Sequence, residues 1–343
     1  MAKPRPSIER ELKKQVDLTR KNGSLNPKAI GWAREPLIKS AVTGSWLRKK
    51  KWNYWCIVSP EVLFSATVSN LDYIGMVFTY FLDRETMKFT EKTISKPFGK
   101  GCSMPENVNE TVEYYDDDNL VAFYRMRTYT KIDVKCVDFG GQVLDVELNV
   151  TAPDEHETLN VVVPWTRWRY QFTSKQNCLR VEGHIKVGDR KYILKKEDSY
   201  ATLDFGRGKW PYDSKWQWGT ASGDTNGTNV GLNLGGTWTD GTGMTENGIV
   251  VDGKLTKIRE NMEFGFDTSD RMKPWVIKSK DSDSVDLVFT PEYERVAKTK
   301  VLFLMSEVHQ LMGTYSGHVT DYTGKRIEIE SLYGSIEDHA AKW

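Results

Sequence analysis

The chain has 343 residues, of which 39% are hydrophobic and 12% aromatic, with 48 Lys and Arg set against 47 Asp and Glu. That length is ample for a large buried core, and a net charge of +1 excludes the basic excess of a nucleic-acid binder. No stretch approaches the roughly 20 apolar residues of a membrane span, and the charged opening lacks the apolar run of an export signal, so a soluble cytoplasmic protein is expected.

The first predicted element is a helix in an N-terminal arm over residues 1–26. Ile8, Leu12 and Val16 recur at four-residue spacing, Pro6-Ser7 precede them and Asn22-Gly23 follow as a stop signal. After Pro27 the helical period gives way to alternation. The run Arg48-Lys49-Lys50-Lys51 reads as a solvated turn, as short charge runs usually are. Strands are expected at 52–58, 62–68, 75–82 and 120–128. Ile132, Val134 and Cys136 face Leu144, Val146, Leu148 and Val150 across the turn Asp138-Phe139-Gly140-Gly141, which predicts a hairpin. A strand at 159–163 follows a polar stretch, and the chain divides near Pro164 into domains 27–164 and 165–343. The clearest strand carries Leu179, Val181, Gly183, Ile185 and Val187 on one face and Arg180, Glu182, His184 and Lys186 on the other. Further strands are expected at 284–290, 301–304 and 326–329.

Many short strands between Gly, Asn, Asp and Pro turns indicate a sandwich or barrel. Helices long enough to serve as crossovers are missing, which argues against a parallel architecture. The expected fold is all-β, with two antiparallel barrel domains. The cysteines at 56, 102, 136 and 178 lack close spacing and are expected as reduced thiols. Asn109 and Asn149 begin glycosylation patterns that are idle without export. The five histidines lack metal-ligand spacing, and the Gly-Thr-Gly at 241–243 lacks the strand-turn-helix setting of a phosphate loop; no metal or cofactor is expected.

One segment, 204–247, differs from an ordinary core. Asp204-Phe205-Gly206-Arg207-Gly208-Lys209-Trp210-Pro211-Tyr212 leads to Trp216-Gln217-Trp218-Gly219, then to Asn233-Leu234-Gly235-Gly236-Thr237-Trp238-Thr239-Asp240 and to Glu246-Asn247. Aromatic walls with a few polar groups are what a small-molecule pocket needs. Alternation puts Tyr200, Thr202 and Asp204 on one strand face. Buried among aromatics, Asp204 would be a general acid unless Arg207 paired with it. The candidate catalytic carboxyls are Asp204, Asp240 and Glu246. The candidate ligand-binding residues are Arg207, Trp210, Tyr212, Trp216, Trp218, Asn233, Trp238 and Asn247. The plainer reading is a structural Asp204–Arg207 ion pair with indoles plugging a barrel.

These blocks, together with Gly31-Trp32-Ala33-Arg34-Glu35-Pro36-Leu37, Lys51-Trp52-Asn53-Tyr54-Trp55, Gly313-Thr314-Tyr315-Ser316-Gly317 and Glu337-Asp338-His339, resemble the bacterial domain-of-unknown-function family 2804 over nearly the whole chain. That family is similar to the lipocalin-like superfamily of carotenoid 1,2-hydratase, AttH-like proteins and fungal Diels–Alder cyclases. The resemblance implies two barrel-like β domains, a pocket for a mostly apolar ligand, and neither metal nor nucleotide. It carries no catalytic residue over. Three functions are expected to compete: a hydratase, isomerase or cyclase acting on a terpenoid- or polyketide-like molecule, a lipocalin-like carrier without chemistry, and a carbohydrate-active or carbohydrate-binding protein.

Overall fold

A computed structural model describes residues 9–301 and 304–343. Among the described residues, fourteen strands between Gly31 and Lys209 form one antiparallel sheet and nine between Asp213 and Lys342 form another. Each sheet curls into a half-barrel, so the fold is all-β and lipocalin-like. The change of sheet falls at residues 210–212. Pro164 lies within the strand Leu159–Thr166, in the hairpin with Arg169–Val187.

The alternating sequences account for the strands. Ile132 faces Leu148, Val134 faces Val146 and Cys136 faces Leu144 across the expected hairpin. Their buried side chains join Phe64, Phe123, Val181 and Phe205 in the core of the first sheet. The second sheet closes over Leu232, Leu234, Ile249, Trp275, Leu287, Phe289 and Tyr315. The expected strand at 301–304 includes 302–303, which lie outside the described residues; on either side the chain runs as Val285–Val301 and Leu304–Thr320, an antiparallel pair.

The expected N-terminal helix is not present among the described residues, and Ile8 lies outside them. Residues 9–26 instead run largely extended. Leu12 N donates to Trp32 O at 2.7 Å, Val16 N to Leu37 O at 3.0 Å and Leu18 N to Lys39 O at 2.9 Å, and Val16 pairs parallel with Ile38. A spacing of four residues also keeps side chains on one face of a strand, so the spacing of Leu12 and Val16 did not discriminate. Burial of Leu12 and Leu18 against the first sheet decides the conformation. The arm also reaches the second sheet, where Glu9 Oε2 lies 2.8 Å from Lys257 Nζ and both side chains are only 1% exposed.

Candidate functional site

The two sheets enclose between them a cavity of about 190 Å³, lined from both sides. From the first sheet, the strands Lys50–Val58, Arg169–Val187 and Tyr200–Lys209 are neighbours. Their register sets Asp204 directly between Tyr54 and Lys175. From the second, Asp213–Thr225 lies beside Arg326–Lys342, which sets Trp216 opposite His339 and Trp218 opposite Glu337. Two glycines permit close approaches to these strands. A Cβ on Gly206 would sit 2.1 Å from Cε2 of Trp52, and one on Gly235 would sit 2.4 Å from Oε1 of Glu246. Without them the indole and the carboxylate could not lie against the backbone.

The walls are aromatic. Trp210 is central, with ring centroids 4.8 Å from Trp165, 5.1 Å from Trp238, 5.4 Å from Trp216 and 5.6 Å from Trp343. Its indole N–H donates to Gln171 Oε1 at 2.7 Å. Trp218 donates to Asn233 Oδ1 at 2.8 Å and meets Tyr54 edge-on at 5.9 Å. Tyr54, Thr173, Arg295 and Gln310 complete the lining with polar groups.

Against these walls lies a buried charge cluster. Lys175 Nζ is 3.0 Å from Asp204 Oδ1, 3.3 Å from Glu246 Oε2 and 4.1 Å above the Trp218 ring. Burial opposes the charge on Lys175, but the two carboxylates outweigh it and hold the amine above its ordinary range. Burial pushes the Glu246 carboxyl up, against the pull of Lys175. Glu246 Oε1 also accepts the Trp238 indole N–H. Glu337 keeps some exposed surface because it lines the cavity. Dense protein surroundings push its carboxyl up to about 7, against the Trp216 indole N–H and Lys175; the indole donates at 2.8 Å. Burial, then Arg295, push His339 down to about 3, so its imidazole is neutral. That ring packs 4.0 Å from Trp216, with Nε2 2.9 Å from Ser306 Oγ.

The cavity gathers Asp204, Trp210, Trp216, Trp218, Trp238 and Glu246 from the segment 204–247. The other candidates stand elsewhere. Arg207 does not pair with Asp204, since residues three apart in a strand face opposite ways. It is fully buried on the other face, donating to Trp52 O at 2.9 Å, Gly206 O at 2.8 Å, Asn53 Oδ1 at 2.9 Å and Pro105 O at 3.0 Å. Asn233 supports the site from behind, bridging Trp218 and the Glu246 carbonyl, to which its amide donates at 2.5 Å. Asn247 is consumed by backbone, accepting from Gly235 N at 2.7 Å and donating to Glu260 O at 2.9 Å. Asp240 is exposed on the loop after Trp238, and Tyr212 is 43% exposed.

Sequence reasoning passed over Lys175 and Arg295, and met Tyr54, Glu337 and His339 only within the blocks of the family resemblance, without a site role. A usable signal was present for Lys175: Gln171, Thr173 and Lys175 alternate as polar residues at the start of a strand, all of them buried.

No protein of curated function matches the sequence. Among solved structures, a Nitrosomonas europaea protein provisionally assigned as AttH superposes with a TM-score of 0.53 at 11% identity, covering 85% of this chain and 92% of that one. Kievitone hydratase from Nectria haematococca gives 0.48 at 9% identity over 86% of this chain and 89% of its own. CghA with Sch210972 gives 0.48 at 9% over 92% and 97%. At such identity the first of these speaks to the fold alone. Family membership rests on sequence: the profile of the family described as a domain of unknown function, DUF2804, matches residues 9–343, and the chain belongs to that family.

Proposed function

We propose that the protein takes a compact, largely apolar molecule, terpenoid- or polyketide-like, into the cavity and moves a proton on it, as a hydratase, isomerase or cyclase does. The observation that carries this reading is a carboxyl, Glu337, held up to about 7 in an aromatic cavity beside the Lys175–Asp204–Glu246 cluster. A group titrating near working pH serves equally as proton donor and acceptor. Glu337 would protonate an alkene or carbonyl and recover the proton. Positive charge developing on the substrate would face Trp216 and Trp218. Asp204 is committed to Lys175 at 3.0 Å, and protonating it would break that pair, so the acid role passes to Glu337.

The cavity's about 190 Å³ is below the roughly 300–1,000 Å³ of drug-sized pockets, which favours a compact occupant. A carrier without chemistry would use the same walls. It would gain nothing from burying several ionisable groups, each of which costs desolvation. The carbohydrate reading loses its anchor because Asp240 is exposed and does not line the cavity that holds Glu246, and Asn247 is spent on backbone.

The test is to incubate the protein with extracts rich in apolar metabolites and identify retained and converted molecules by native and solution mass spectrometry. Glu337→Gln should retain the ligand and lose conversion. Full conversion by that variant would refute the proton-transfer role, and failure of the wild type to retain any apolar molecule would refute the cavity reading itself.

A further inference from the structure

Four large apolar side chains stand in solvent on neighbouring turns at one edge of the first sheet. Trp46 is 69% exposed, Phe98 65%, Trp168 43% and Leu47 38%. Trp46 and Phe98 stack, with ring centroids 6.3 Å apart. Ser45, Leu47 and Phe98 hold φ of 52°, 68° and 55°, the left-handed region that disfavours residues other than glycine. The backbone thus accepts strain where it turns apolar groups outward. Lys209 ties the turns together, donating to Gly23 O at 2.8 Å, Thr43 O at 3.0 Å and Ser45 Oγ at 3.2 Å, while pairing in the sheet with Tyr170, beside the Trp168 turn.

The same edge is basic. Arg48 and Arg167 are exposed, and Lys49 and Arg169 partly so. Burial, then the nearby Arg48, hold the Arg169 guanidinium below its ordinary range, and burial, then Arg169, do the same to Lys209. The neighbouring acid is Asp72, which is occupied: it accepts from Arg48 N at 3.1 Å and Lys49 N at 3.0 Å and lies 3.4 Å from Lys49 Nζ. Among the described residues, Arg48, Arg167 and Arg169 form no salt bridge. The basic run expected as a solvated turn is therefore divided. Arg48 faces water, while Lys50 is only 2% exposed and lies 4.3 Å from the Tyr73 ring and 5.6 Å from that of Trp343. Trp343 lines the cavity, so this edge adjoins the cavity wall.

We infer that this edge docks on an anionic lipid surface. Trp46, Leu47, Phe98 and Trp168 enter the interfacial layer, and Arg48, Arg167 and Arg169 meet lipid phosphates. Indoles prefer that depth, where an apolar body and a polar N–H are both accommodated. Flanking cations supply the complementary charge, each strengthening partition about fivefold. Three arginines without a carboxylate partner, one of them (Arg167) lying 4.9 Å over the Trp168 ring that enters the layer with it, give a preference for anionic over neutral vesicles on the order of 100-fold. The docking stands without the reading of the cavity; its consequence, exchange of an apolar ligand with the bilayer, rests on that reading.

Vesicle flotation tests the docking on protein without added ligand, so its outcome is separate from any result on conversion. The wild type should float with phosphatidylcholine–phosphatidylserine vesicles and remain behind with phosphatidylcholine alone. Trp46→Ser/Phe98→Ser should abolish flotation, and Arg48→Glu/Arg167→Glu should weaken it by at least about 20-fold. All four positions are exposed, so unchanged circular dichroism and melting are expected. Val137→Ser/Val143→Ser, at exposed apolar positions in a different hairpin, should float like the wild type. The inference is overturned if the wild type does not float, if the Trp46/Phe98 variant floats equally, or if that variant instead abolishes a concentration-dependent dimer seen by sedimentation.

Discussion

Replacing Lys175 by Met removes the cation that the Asp204 and Glu246 carboxylates share, at 3.0 and 3.3 Å. Their side chains are 13% and 4% exposed, and that of Lys175 is 5% exposed, so solvent compensates only in part for the lost ammonium. Breaking a buried pair from one side costs about 3–5 kcal/mol, because the remaining charge is left without compensation. The pH dependence has a definite sign. Burial already holds the Glu246 carboxyl above its ordinary range against Lys175, and loss of the lysine raises it further. A carboxyl raised in the folded state destabilises above its unfolded value near 4.3, and the penalty fades as pH falls through the raised value. Urea titrations should therefore show Lys175→Met destabilised by about 3–5 kcal/mol near pH 7.5, with the gap to wild type narrowing toward about pH 5. Adding Glu246→Gln should recover part of the loss. A deficit below about 1 kcal/mol, or one unchanged by acidification, would refute the view of Lys175 as the charge that holds the cluster together.

Glu337→Gln should stabilise the protein at alkaline pH. The wild-type carboxyl, pushed up to about 7 chiefly by burial, penalises folding once ionised; the limit is about 3 kcal/mol, and the advantage should vanish below about pH 4.5, as read from melting temperature against pH. Gly235→Ala would drive a Cβ to 2.4 Å from Glu246 Oε1, costing about 1–3 kcal/mol of overpacking and changing the emission of Trp238, which donates to that oxygen. Glu9→Ala would leave the buried Lys257 without its carboxylate, holding only hydrogen bonds to Thr245 Oγ1 and the Ile258 carbonyl, a loss of about 3 kcal/mol; hydrogen exchange at the Thr245 amide, which donates to Glu9 Oε1 at 2.6 Å, should accelerate more than exchange at the distant Val134 amide.

Period-two alternation made the strands legible where one face is buried, as in the hairpin of Ile132–Leu148 and Val134–Val146 pairs. It failed at the N-terminal arm, where Leu12 and Val16 satisfy helix and strand alike and contacts with residues 32 to 39 decide. In the site, the segment 204–247 was visible because indoles, glycines and carboxyls crowd together in sequence. Lys175 and Glu337 were not, because register brings them in: Lys175 opposes Asp204 across one strand pair and Glu337 opposes Trp218 across another. Arg207 misled for the opposite reason. It is near Asp204 in sequence, yet strand geometry turns it to the far face.

The division of the charge cluster between two sheets bears on how the protein is made. Lys175 and Asp204 emerge from the ribosome together, whereas Glu246 and the indoles of Trp216, Trp218 and Trp238 follow only with the second sheet. A chain arrested after Lys209 would hold the Lys175–Asp204 pair beside the uncovered rings of Trp52, Tyr54 and Phe78. Such a nascent face is what chaperones recognise and what drives misassembly. The feature that makes an aromatic cavity in the finished protein is thus, for the interval before the second sheet docks, a sticky surface.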